Sequence, residues 1–149
     1  MVWWGITALV VSAVMFPIFR TFAQPFPFLK NNIICIILLV TYTRHIFLLE
    51  HTLIARHFWI KMGLLMLTFP LMFWLINANF DFREFLDYKA PDGFIVLMKP
   101  KMTILEQTQI VSYIRNEFLF FVIGSMIATL GMFVRMLMSI WRVRNTGEV

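Results

Sequence analysis

Four apolar stretches, each close to the length a helix needs to cross a bilayer, constrain this chain more than any other feature. A helix spans a hydrocarbon core of about 30 Å with roughly 20 mostly apolar residues. Measured against that ruler, the first helix is predicted from about Val2 to Thr21, the second from Asn31 to about Leu49 and the third from Phe58 to about Ala78. The fourth runs from residue 104 to Trp141, with its membrane part starting at about Glu117. A soluble domain needs a polar shell, and a chain that is 60% hydrophobic and 14% charged has too few residues to make one. The expected fold is therefore an all-α integral membrane protein, a single domain over residues 1–149 with four transmembrane helices in an antiparallel bundle.

The first stretch has the look of a secretory signal, yet no Lys or Arg precedes it and Arg20 follows it directly, so it is expected to be retained. Between the first two helices, Ala23-Gln24-Pro25-Phe26-Pro27-Phe28 cannot be helical. A tight hairpin is expected there, with its phenylalanines at the lipid interface. The second connection, Glu50 to His57, is short and polar. The third, residues 79–116, is the only sizeable extramembrane segment. Within it Phe80, Phe82, Phe85 and Leu86 alternate with Asp81, Arg83, Glu84 and Asp87, the pattern of a short amphipathic helix lying on the membrane surface. Pro91-Asp92-Gly93 reads as a turn, and Phe94–Met98 as an extended segment or a shallow dip into the interface. Thr103 with Glu106 forms a capping box, so the fourth helix is expected to start well outside the membrane and protrude from it.

Orientation rests on tryptophan and on the acids. Lys and Arg number six on the side of the termini and seven on the other, which decides nothing alone. Trp3, Trp4, Trp59 and Trp141 all fall at helix ends on the first side, while most acids fall in the third connection. The termini are therefore expected in the cytoplasm, in a bacterial inner membrane or an organellar one.

Three constellations could carry function. Small residues recur on one face of the fourth helix at Gly124, Ala128 and Gly131, and on the first at Gly5, Ala8 and Ser12. Such stripes let backbones approach closely in lipid, either between these two helices or between copies of the chain. Charges come second. Arg44, His45, Lys61 and Arg135 lie at similar depth near the cytoplasmic end. They read as snorkelling side chains or as a pocket for an anion or anionic lipid. Third, His45, His51 and His57 are six apart, which does not stack them on one helical face, and no carboxylate or cysteine joins them at metal-ligand spacing. No metal and no cofactor is expected.

Other chemistry is thin. Cys35 sits alone in an apolar run and reads as a small core filler. Glu50 and Glu117 fall at helix edges, so no intramembrane proton relay or Na⁺ site is expected, and no serine has a placeable His and Asp partner. Pro17 and Pro70 read as kinks. The expected function is a non-catalytic subunit or accessory protein of a membrane complex, with the bilayer and a protein partner or second copy as its contacts and no nucleic acid. A small oligomeric transporter or channel is the alternative, and a lipid-modifying enzyme ranks below both.

Overall fold

The computed structural model describes residues 2–48, 57–88 and 92–146. Glu50, His51, Arg56, Lys89 and Pro91 lie outside the described residues. Most of the described chain is helical: α1 (Val2–Thr21), α2 (Leu29–Leu48), α3 (Phe58–Tyr88), α4 (Asp92–Ile95) and α5 (Ile104–Thr146). Four of these, α1, α2, α3 and α5, are long and apolar enough to cross a membrane. Among the described residues there is no strand, only an isolated antiparallel bridge between Phe22 and Met98.

Two expectations about the third connection need correcting. No separate amphipathic helix follows the third helix. Residues 80–87 instead continue α3 without a break, because nothing from Asn79 onward interrupts the helical hydrogen bonding. At 1.5 Å per residue α3 is about 46 Å long, well beyond a bilayer core. Along this continuation Phe82 is fully buried and Phe85 and Leu86 are half-buried, while Phe80, Asp81, Arg83 and Glu84 stay exposed.

The Phe94–Met98 segment does not run extended throughout. It starts as the single turn α4, then folds back over the first connection, where Ala23 N donates to Leu97 O at 3.0 Å and Lys99 N to Thr21 O at 3.2 Å. The Lys99 ammonium adds a 2.6 Å bond to Arg20 O. The hairpin phenylalanines, expected at the lipid interface, are drawn inward by this clasp. Phe22, Phe26 and Phe94 are buried, with Phe26 stacked on Phe94 at 5.8 Å. Prolines 25 and 27 keep the loop out of a helix, and the core forming beside it supplies the apolar surroundings.

α5 is the hub. It packs most extensively on α2, then on α3, and also touches α1. Its buried positions Ile114, Glu117, Phe121, Ser125, Ala128, Met132 and Met136 follow spacings of three and four, which is one helical face. Partners advance together along α2 and α5, from Asn32 with Glu117 to Ile46 beneath Gly131. Along α3 and α5 they run in opposite senses, from Lys61 with Ser139 to Phe82 with Phe118.

The capping box at the start of α5 is formed. Thr103 N and its hydroxyl both donate to Glu106 Oε2, at 2.8 and 2.9 Å. These two bonds hold the exposed Glu106 carboxyl below its ordinary range. A depressed carboxyl stabilises its helix end above the ordinary range and loses that effect as pH falls through the lowered value. Amide exchange at residues 104–107 is expected to stay slow until acid passes the usual carboxylate range, and a Glu106→Gln chain should show much less of this pH dependence.

Candidate functional site

The polar interior lies along α5, whose cross-helix bonds reach all three of the other long helices. Asn32 and Glu117 are both buried, at 0% and 8% exposed. Asn32 Nδ2 donates to Glu117 Oε2 at 2.7 Å, joining α2 to α5. Two turns further on, Ser125 Oγ donates to Cys35 O at 2.7 Å across the same seam. Tyr113 OH donates to Val14 O at 3.0 Å and ties down α1, and Lys61 Nζ donates to Ser139 Oγ at 2.8 Å and ties α3. Groups that would be costly to bury alone are in this way spent on fixing register.

Glu117 corrects the sequence reading. It does fall near the end of the predicted membrane segment, but it is buried rather than solvated. The spacing signal was present: Glu117 continues the face of Ile114, Phe121 and Ala128, and Asn32 opens the apolar run that packs on that face. One oxygen of each group, Glu117 Oε1 and Asn32 Oδ1, is buried with no hydrogen-bond partner. The arrangement attaches two helices and leaves two acceptor atoms uncommitted.

The basic residues singled out from sequence fall on different seams. The Arg44 guanidinium lies over the Trp3 ring, 5.5 Å from its centroid, between α1 and α2. His45 turns its Nδ1 to Thr41 O of its own helix at 2.7 Å. Lys61 is 2% exposed and committed to Ser139, between α3 and α5. Arg135 is half-buried on α5, one turn beyond Gly131. Arg44 and Lys61 thus have their partners on different helices, Trp3 of α1 and Ser139 of α5.

The small-residue stripes also part company. On α5 an added Cβ at Gly124 would meet Leu39 Cδ2 at 3.2 Å, and one at Gly131 would meet Ile46 Cδ1 at 3.1 Å. Both glycines therefore seat side chains of α2, with Ala128 buried between them, rather than the first helix. On α1 an added Cβ at Gly5 meets nothing within 4 Å, and Ala8 and Ser12 are exposed. Leucine at Gly124 or Gly131 would have to displace a packed branched side chain. The expected cost is about 1–3 kcal/mol, read as an earlier unfolding midpoint in mixed micelles. Leucine at Gly5 should leave that midpoint unchanged.

This hub-and-seam geometry is that of a helical bundle with four membrane-length helices, and among the described residues no three His, Cys, Asp or Glu side chains gather as metal ligands. The chain matches no protein family, no curated protein and no solved structure.

Proposed function

We propose that this chain is a non-catalytic subunit or accessory protein of a membrane complex. Its four long helices cross the bilayer up and down as an antiparallel bundle, with both termini in the cytoplasm of a bacterial cell or on the equivalent face of an organelle. The observation that carries the reading is the outward-facing stripe on α1, where Gly5, Ala8 and Ser12 are exposed and a Cβ at Gly5 would meet nothing within 4 Å. Apolar side chains facing lipid need no partner. A strip of glycine, alanine and serine offers a neighbouring helix close backbone approach and a hydroxyl, and it is the kind of surface on which membrane helices associate.

α1 has surface to give. Its buried residues are Thr7, Met15, Ile18 and Thr21, all turned toward the bundle, which leaves the stripe side available to a helix of another chain. The protruding start of α5 and the continuation of α3 add a second contact region beyond the membrane. The transporter or channel alternative asked for one pocket shared by Arg44, His45, Lys61 and Arg135, and it gains no support from Lys61 and Arg44 lying on separate seams.

Purification of the tagged chain from native membranes in mild detergent, with native mass and identification of what co-purifies, is the test. A stoichiometric partner that is lost from Gly5→Leu and Ala8→Leu, both unfolding like the parent, supports the subunit role. A homo-oligomer, or a monomer with no partner, counts against it, and the homo-oligomer moves weight to the carrier alternative.

A further inference from the structure

Arg44 stands in a cleft of about 40 Å³ between α1 and α2, lined also by Trp3, Trp4, Thr7, Thr41 and His45. The Trp3 face, 5.5 Å from the guanidinium carbon, holds the cation at this seam. Among the described residues nothing accepts a hydrogen bond from it, and its Nε is buried without a partner. A guanidinium keeps its charge at any ordinary pH, and donors that are withdrawn from water without an acceptor cost free energy. His45, beside it, has committed Nδ1 to Thr41 O and has Nε2 left for a ligand. The site thus has a fixed cation, an aromatic backing and uncommitted donors, but no anion among the described residues.

We propose that this cleft binds a phosphate group. The planar fork of the guanidinium matches two phosphate oxygens, and stacking on Trp3 aims it. The volume admits one or two oxygens and not a whole headgroup, so the remainder of the ligand stays outside. Arg44 is four residues before Leu48, the last described residue of α2, or about 6 Å along the axis. At that depth the phosphates of the adjoining leaflet are within reach. The inference rests on the membrane placement proposed above and is independent of the subunit role.

The test uses the full chain in detergent, titrated with phosphatidylglycerol or phosphatidylcholine and read by native mass spectrometry. The parent chain should retain phosphatidylglycerol in preference, and Arg44→Gln should weaken that retention about tenfold, while Gln at the remote, exposed Lys101 leaves it unchanged. If Arg44→Gln fails to fold, Trp3→Leu keeps the charge and removes its backing, with an expected weakening of about threefold. Inorganic phosphate that displaces the lipid at millimolar concentration assigns the cleft to the free anion. A lipid that resists displacement assigns it to the headgroup, and either result supports a phosphate site. Equal retention by the parent and a helical Arg44→Gln chain overturns it. Extraction of the chain without detergent would overturn the membrane placement itself, an outcome distinct from loss of lipid discrimination alone.

Discussion

Asn32→Leu is expected to destabilise the chain by about 2–3 kcal/mol, because it leaves the buried Glu117 carboxyl without its donor. The substitution removes one hydrogen bond, but the larger part of the cost is an acidic group enclosed on α5 with no partner in place of the amide. Replacing both residues removes that penalty. Asn32→Leu combined with Glu117→Leu is therefore expected to be more stable than either single variant, since two apolar groups of similar shape fill the seam. Reversible unfolding in mixed micelles, followed by helical circular dichroism, gives the three midpoints. Additive losses would show that the two side chains do not act as a pair, and the attachment of α2 to α5 at this point would have to come from Ser125 and Cys35 alone.

The same pair marks where sequence reading reached and where it stopped. The four long helices were legible because length and apolar content depend only on a run of residues. The capping box at Thr103 was legible for the same reason, since its partners are three residues apart. Asn32 and Glu117 are 85 positions apart, and nothing local says that they meet. Their shared face could be drawn from spacing, but which helix covers it is settled by competition among α1, α2 and α3. That competition also decided the glycines. Gly5 and Gly124 look alike in sequence, yet Leu39 fills the groove at one and nothing enters at the other. The phenylalanines near Pro25 and Pro27 were misplaced because an aromatic side chain beside a membrane stretch suits lipid and a protein core equally well. Only the clasp of residues 97–99 on residues 21–24 resolves which one it meets.

Phe118→Ala is expected to be the most damaging single truncation, at about 3–5 kcal/mol. Phe118 is fully buried and stacked on Phe82 with centroids 4.0 Å apart, and Phe28 meets both rings edge-on at 5.2 and 5.9 Å. Removing the ring opens a cavity among three elements at once. Two solvents act on this chain if the bilayer lies as proposed. Midway along the helices lipid is as apolar as the side chains, so burial alone gains little, and attachment falls to close-packed glycines and hydrogen bonds. At the end where α3 and α5 leave the membrane, water is the alternative, and apolar burial becomes the main driving force. The aromatic cluster gathers at that end. Phe69→Ala is the matching control, since the Phe69 and Phe133 ring centroids lie 5.7 Å apart but Phe69 is 54% exposed, and its expected change is below about 1 kcal/mol. Micelle unfolding of the two variants separates the explanations. Equal losses would mean that packing density governs both ends alike, whereas a loss confined to Phe118→Ala ties the stability of the bundle to its water-facing end.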